Sequence, residues 1–433
     1  MKTRTRLAVV ANAPAPYRLA QSARIARELP EIENFTVFKH EHNNSPWRQP
    51  LPEIIAPVVF GKGELLTEKN KPKNILRQWA RGGEIIAWLE RHAIDALVLT
   101  GYNDLGLLRI IRWGKETGVP VFMFNDSNVY GDRASGLGRA LKNFYVPKVV
   151  RMLAGLMPCS VRGVEFYDRY GGRGKPTFYM PHEPDYALIM TMPPERVEAA
   201  REKHGLKRGR RYINYCARMT RVKRPDLLVE AFSSIADARP EWDVCFVGGG
   251  DLLGATRDLV PERYRERFIF TDFVDGPAEI AALYRCAEVH CLPSEYEPWA
   301  AVIPEAAAAG LAIVSSHVVG AASELVRDAV NGLLFESGSV EALADALMDV
   351  TDEANIDRYR AGSADVLRDW RTRGDPIDGV RRALEFSGIL EPRSGTRPTG
   401  DPDKDWRTDA EAGVNALATT AFDAPTKTAG TTA

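Results

Sequence analysis

Two carboxylates eight positions apart, Glu297 and Glu305, stand in the stretch 292–310, which reads Leu-Pro-Ser-Glu-Tyr-Glu-Pro-Trp-Ala-Ala-Val-Ile-Pro-Glu-Ala-Ala-Ala-Ala-Gly. A short apolar strand empties there into a loop, and an Ala-rich helix follows and stops at Gly310. Eight helical residues rise about 12 Å, more than the roughly 5 to 9.5 Å over which two carboxyls act on one bond. The spacing suits two acids that hold opposite ends of an elongated ligand. It is also open to a plainer assignment, with Glu297 an acid at a helix start favoured by the dipole and Glu305 a solvated helix residue.

Upstream, Cys216-Ala-Arg-Met-Thr-Arg-Val-Lys-Arg-Pro-Asp places Arg218 and Lys223 after a strand and before a helix, with Pro225 suited to the first helical turn. A fork and a point charge at a strand's carboxyl end suit a pyrophosphate; solvated surface charge is the alternative. Gly248, Gly249 and Gly250 follow another strand and would let the backbone approach a ligand closely. After the first strand, Asn12-Ala-Pro-Ala-Pro-Tyr-Arg is a rigid turn opening a helix. In an open α/β sheet such a loop faces the ligand cleft, which makes Tyr17 and Arg18 candidate contacts, unless the turn is only a connector. The absence of GxGxxG weighs against a nicotinamide cofactor.

These residues need elements to hold them. Short apolar runs alternate with helical patterns, the sign of a parallel α/β sheet. Strands are expected at 7–10, 35–38, 96–100, 119–124 and 156–158, with 178–180 closing the half and a helix at 104–115. Near Pro193-Pro194 the alternation restarts, with strands at 212–216, 244–247, 268–270, 289–292, 312–314 and 333–335. Two Rossmann-like domains follow, with a boundary around 183–195. From 391 to 433 Thr, Ala, Gly, Pro and Asp dominate, so the tail is expected to be disordered.

A chain of 433 residues has room for two or three domains, and 45% hydrophobic with 27% charged residues is a globular balance. A formal net charge of −1 gives no electrostatic case for a nucleic-acid partner. Five cysteines without CxxC spacing, in apolar contexts, predict buried thiols in a reducing compartment. The apolar run after Met-Lys-Thr-Arg-Thr-Arg is too short for a signal core or a membrane span, and a cytoplasmic protein is expected. Residues 139–153 mix cations with apolar side chains. They fit either an interfacial helix at the inner face of a membrane or a core-facing helix with a solvated basic face, interrupted by Pro147.

Taken together, the second half resembles the donor-binding domain of retaining GT-B glycosyltransferases of the family 4 type, the glycosyl transferases group 1. The matching pieces are Ala-Arg218-Met-Thr-Arg-Val-Lys223-Arg-Pro-Asp, Val-Gly-Gly-Gly250-Asp, Glu279-Ile-Ala-Ala-Leu-Tyr284, Pro293-Ser-Glu-Tyr-Glu297-Pro-Trp to Glu305-Ala, and Val319-Gly-Ala-Ala-Ser-Glu-Leu-Val to Asn331-Gly-Leu-Leu. Their order and separations agree over residues 211–350. The first half is similar more loosely, through Pro14-Ala-Pro-Tyr-Arg and Gly101-Tyr to Gly118-Val-Pro.

The resemblance implies a GT-B fold, two Rossmann-like domains with parallel sheets facing across a cleft. Residues 1–185 would form the acceptor side and 195–360 the nucleotide-sugar domain, while a helix in 361–390 would cross back to the first domain. It implies transfer of a sugar from a UDP- or GDP-sugar to a sugar, lipid-linked or small-molecule hydroxyl with retention, in glycan, polysaccharide or glycolipid synthesis. Glu305 would bond the ribose hydroxyls and Glu297 the donor sugar. Arg218 and Lys223 would neutralise the departing diphosphate, and the amides of Trp299, Ala300 and Ala301 would bind phosphate or sugar. With those cations no metal or other cofactor is required; the one Asp-x-Asp considered, Asp401-Pro-Asp403, lies in the tail.

Three features depart from the family pattern. Relatives usually have Gly where Ala300 stands, and the added methyl would crowd the donor sugar. Pro304 should make the helix begin late or kink. Many relatives place a His on the acceptor-side loop that here reads Phe124-Asn-Asp-Ser-Asn, so Asp126 or Asn125 takes its place, and relatives often have Asn at the His182 position. Other readings of the same fold are a nucleotide-sugar epimerase, a phosphorylase (for which no pyridoxal phosphate lysine is identified) and a non-catalytic nucleotide-sugar-binding protein.

Overall fold

The computed structural model describes residues 4–41, 50–63 and 74–393. The expectations for most of the tail, including Asp401-Pro-Asp403, lie outside the described residues.

The first half supplies β1 (Thr5–Ala11), β2 (Ile32–Phe38), β3 (Pro57–Val59), β4 (Ala96–Thr100), β5 (Val121–Asn125) and β6 (Gly155–Pro158). The second supplies β7 (Arg211–Cys216), β8 (Trp242–Val247), β9 (Phe268–Phe270), β10 (Val289–Leu292), β11 (Ala312–Ser316) and β12 (Gly332–Phe335). All neighbours pair in parallel. The orders are β3-β2-β1-β4-β5-β6 and β12-β11-β10-β7-β8-β9. Renumbered within its half, the second order is the first again, so both sheets are doubly wound with a switch point beside the first strand. The sequence missed only β3, three residues that begin on Pro and lie at the sheet edge, where a missing N–H costs no ladder bond.

Both faces of each sheet are covered, which is why the strands read as continuous apolar runs rather than alternating ones. In the second sheet Ile213, Tyr215, Val244, Phe246, Cys291 and Val314 pack to one side. Tyr212, Cys216, Cys245, Val247, Leu292 and Ile313 pack to the other. All five cysteines are free and buried. The helix expected at 104–115 runs Leu105–Thr117, capped by the Asp104 carboxylate, which accepts from Leu107 N at 2.9 Å.

Residues after β6 lead back along the first sheet: Phe178 N donates to Leu156 O at 2.9 Å and Met180 N to Pro158 O at 3.0 Å. At the far end a single helix, Glu353–Gly374, runs through the division expected at 361. Asp375 then caps the helix Pro376–Phe386, which packs on the first-half helix Pro16–Glu28. Arg381 on that returning helix pairs with Glu31, and the rings of Phe386 and Phe178 lie 5.9 Å apart.

The helix Gly136–Met152 differs from the core-facing expectation in its first half. Leu137, Leu141 and Phe144 are exposed on one stripe, at 87%, 60% and 64% of their surface. The cations Arg139 and Lys142 turn instead toward the buried Asp132 carboxylate. Only beyond the mid-helix do Val146, Val149 and Val150 bury. A buried acid recruits the basic side chains, and the apolar ones are left outside. Among the described residues no helix is long and apolar enough to cross a membrane.

Candidate functional site

Adjacent strands β7 and β10 flank the second switch point, and their carboxyl-end loops meet there. Glu295 N donates to Val222 O at 2.9 Å and the Arg224 guanidinium bonds Glu295 at 2.8 Å. This docking brings Lys223 and Glu297, 74 positions apart in the sequence, into an ion pair. Arg218 stands exposed in the same loop and makes no ion pair with the described residues. Burial and the Arg218 guanidinium push the Lys223 ammonium down to about 8, while the Glu297 carboxylate pulls the other way.

Glu305 lies in the short helix Val302–Ala308 and is partly exposed, not a free surface acid. Tyr284, buried on the helix Pro277–Arg285, donates to its Oε2 at 2.9 Å. Burial raises the Glu305 carboxyl to about 7, against the opposing pull of the Tyr284 hydroxyl. The helix begins late, as Pro304 requires, and does not kink there. Pro304 falls in its first turn, where a backbone N–H would have no intrahelical partner.

The residues ahead of that helix are set by backbone geometry. Ala300 has φ 78°, a left-handed conformation that costs a residue with Cβ roughly 1–2 kcal/mol. The Gly preference at this position thus has a backbone reason besides room for a sugar. The amides of Trp299, Ala300 and Ala301 donate to no group among the described residues. Gly248 and Gly250 also sit at positive φ, 126° and 148°. A Cβ on Gly248 would lie 2.5 Å from Ala217 O, and one on Gly250 would strike Met219 O. Met219 N in turn donates to Gly249 O at 2.8 Å. Gly248 and Gly250 thus let the backbone pack closely against the Arg218 loop.

The candidates from the first half gather around His182. The Tyr17 ring lies 4.1 Å from the His182 ring, with the Arg18 guanidinium 5.8 Å from the Tyr17 ring centroid, and Asp126 Oδ2 is 4.0 Å from His182 Nε2. Asn125 is occupied locally, since its Oδ1 accepts from Ser127 N and Oγ, each at 2.9 Å. Asp126 is half exposed and open.

Sequence reasoning missed Asn128. Buried at the loop after β5, it donates through Nδ2 to Glu297 O at 3.2 Å and to Val318 O at 2.9 Å, joining the carboxyl ends of the two sheets. No periodicity flags such a residue; its partners are 169 and 190 positions away. His182 also does more than its motif suggested, because Trp299 Nε1 donates to its carbonyl at 2.8 Å across the same boundary. Among the described residues no three His, Cys, Asp or Glu side chains gather as a metal-binding group.

Comparison with known proteins bears on this arrangement. The chain is 29% identical over 203 residues to a D-inositol 3-phosphate glycosyltransferase of Paenarthrobacter aurescens, covering 45% of this chain and 49% of that one. It is 28% identical over 224 residues to the enzyme of the same name in Segniliparus rotundus, covering 49% of each. The chain thus spans about half the length of the curated relatives it matches. Among solved structures it is similar to Anabaena HepE in complex with UDP and glucose, at TM-score 0.67, 17% identity, and coverage of 89% of this chain and 100% of that one. A sucrose-phosphate synthase from Thermosynechococcus elongatus matches at TM-score 0.69 and 17% identity, covering 88% and 99%. These likenesses give the fold, which is GT-B. Residues 196–364 of this chain match the family described as glycosyl transferases group 1.

Proposed function

We propose that the protein moves a sugar from a nucleotide diphosphate sugar, UDP- or GDP-linked, to an acceptor hydroxyl with retention at the anomeric carbon, in glycan, polysaccharide or glycolipid synthesis. The observation that carries this is the meeting of Arg218, Lys223 and Glu297 at the ends of adjacent strands β7 and β10, within a group 1 domain. Solved structures of the same fold hold UDP and UDP-glucose, which supports a nucleotide-sugar donor.

In this reading the acceptor oxygen bonds to the anomeric carbon as the bond to the diphosphate breaks, and the acceptor's proton leaves with the departing phosphate. Arg218 and Lys223 stabilise the charge that grows on that phosphate, in a site that needs no reorganisation to do so. The work requires no metal or other cofactor. Before the donor arrives Glu297 neutralises Lys223. Donor binding lets the diphosphate take over Lys223 and frees the Glu297 carboxylate for the sugar hydroxyls. Glu305 accepts from the ribose, held in place by Tyr284. Tyr17, Arg18 and Asp126 face the acceptor, and closure of the halves excludes water.

Glu305→Ala removes hydrogen bonds to a charged group worth about 1.5–3 kcal/mol each. Calorimetric titration with UDP- and GDP-sugars should then show donor affinity lowered at least about 100-fold; unchanged affinity would sink the assignment. An epimerase would turn over the donor without any acceptor, and a non-catalytic binding protein would not turn it over at all, so product analysis with and without acceptor separates both from a transferase.

A second reading concerns the membrane. The exposed stripe Leu137, Leu141 and Phe144, with Lys148 Nζ 3.4 Å from the Phe144 ring centroid, has the form of an interfacial helix. Flotation with vesicles containing anionic lipid should carry the protein upward, and Phe144→Glu should abolish this. No flotation at low salt would remove the membrane from the account.

A further inference from the structure

His182 stands out among the buried titratable groups because the described structure gives its ring nothing to bond. Its residue is 5% exposed, and neither Nδ1 nor Nε2 has a hydrogen-bond partner among the described residues. Buried polar atoms normally find partners, and leaving one without costs stability. The ring is nonetheless held firmly. Tyr17 packs on it at 4.1 Å and Phe124 edge-on at 4.9 Å, centroid to centroid. Its backbone is tied from both halves: Gln21 Nε2 donates to Pro181 O at 3.1 Å, and Trp299 Nε1 donates to His182 O at 2.8 Å. A ring aimed this rigidly, with both nitrogens idle, is prepared for a ligand.

Its surroundings say what kind. The nearest carboxylate oxygen, Asp126 Oδ2, is 4.0 Å from Nε2, too far for a direct bond. A hydroxyl can sit at about 2.8 Å from two atoms so separated. It would donate to the carboxylate and accept from the ring N–H. Burial, with the positive charge of Arg18 adding to it, keeps the imidazole neutral, its pKa well below the ordinary range. A neutral ring offers one donor and one acceptor, a match for vicinal hydroxyls rather than for phosphate. The ring is flanked by Tyr17, Phe124 and Asp126 of the first half, and Trp299 of the second half holds the His182 carbonyl, which places the ring at the boundary between the halves.

We propose that His182, with Asp126, binds a hydroxyl of a sugar at the boundary between the two halves. This deepens the proposed function and rests on it for the name of the ligand, which is the transferred sugar of the donor or a sugar acceptor. His182 is in this account a specificity residue that touches substrate.

The test compares wild type with His182→Phe, which keeps a stacked ring but no nitrogen, and His182→Asn, which keeps donor and acceptor. Probes are UDP and GDP, a panel of UDP- and GDP-hexoses, and free glucose. If the contact is to the donor, the gain in affinity of a sugar nucleotide over its bare nucleotide falls about tenfold in His182→Phe. Bare-nucleotide affinity stays unchanged, and Asn restores part of the gain. If the contact is to the acceptor, donor affinities hold while the KM for glucose rises by a similar factor. In ¹⁵N-histidine-labelled protein, the imidazole signal absent from His182→Asn shifts on adding sugar nucleotide or glucose. A His182→Phe protein equal to wild type in every affinity, with an unmoved imidazole signal, overturns the proposal. Should neither UDP nor GDP bind wild type, the transferase reading fails, and the response of His182 to free glucose still decides this one.

Discussion

At the scale of single residues, the site pairs an acid raised by burial with a base lowered by it. Burial pushes the Glu305 carboxyl up to about 7, and burial with the Arg218 charge pushes the Lys223 ammonium down to about 8. In the proposed function, protonation of Glu305 below about 7 removes its acceptor capacity toward ribose, and above about 8 Lys223 loses the charge proposed to meet the diphosphate. Donor affinity is therefore expected to be bell-shaped in pH with its maximum between those values. Glu305→Gln should erase the acid limb, and Lys223→Arg should carry the alkaline limb beyond the measurable range. Calorimetry across pH checks both limbs, and a flat profile in wild type would contradict the assignment. On folding the sign is opposite for Glu305. From about 4.5 to 7 the folded chain holds a proton there that the unfolded chain has released, so this residue lowers stability as pH rises through that window.

At the scale of elements, the loop from β10 to the helix Val302–Ala308 is a place where backbone conformation is kept against local preference. Ala300 adopts φ 78° at a cost of roughly 1–2 kcal/mol. Glycine would relieve this and add roughly 0.5–1 kcal/mol of unfolded-chain entropy. Ala300→Gly is expected to stabilise the protein by up to about 1 kcal/mol in denaturant unfolding and to widen the range of sugar nucleotides turned over. A destabilised variant would mean that the methyl packs usefully. The loop's position is secured from elsewhere, by Ala321 N donating to Trp299 O at 2.7 Å and Gly320 N to Glu297 O at 3.1 Å. Strain at one residue is held by partners twenty positions on.

At the scale of the molecule, the two halves share one apolar core. Phe122, Phe124, Tyr179, Met180, Trp299, Ile303, Trp370 and Val380 belong to a single buried cluster running from the first sheet through the connecting segment to the second. The Trp370 ring lies 5.4 Å from Tyr179 and 5.9 Å from Trp299. Polar ties lie at the mouth: Asn128 to Glu297 and Val318, and Val161 N to the Glu324 carboxylate at 2.6 Å, with Arg373 on its other oxygen at 3.0 Å. Asn128→Ala strands two carbonyls whose loss costs about 1–3 kcal/mol each when they stay buried. It is expected to lower the melting temperature and to raise the radius of gyration in solution scattering as the halves part. An unchanged radius would show that the shared core alone holds them together.

Sequence by itself determined much of this protein. Apolar runs marked eleven of the twelve strands among the described residues, each of three to seven residues, because strands buried on both faces carry their own signature. The order of Arg218, Lys223, Glu297 and Glu305 along the chain carries the resemblance to the glycosyl transferases group 1 and the expectation that they share one site. Tertiary structure alone decided how. The Lys223–Glu297 pair, the Tyr284 bond to Glu305, the bracing of the Arg218 loop by Gly248 and Gly250, and the Asn128 tie all join residues distant in the chain. The exposed apolar stripe on Gly136–Met152 follows from one buried acid, Asp132, that captures the helix's cations. Local pattern reports which face of an element is apolar. Only the packed fold settles what that face meets, since burial and partner charges, which set each group's chemistry, are properties of the assembled neighbours.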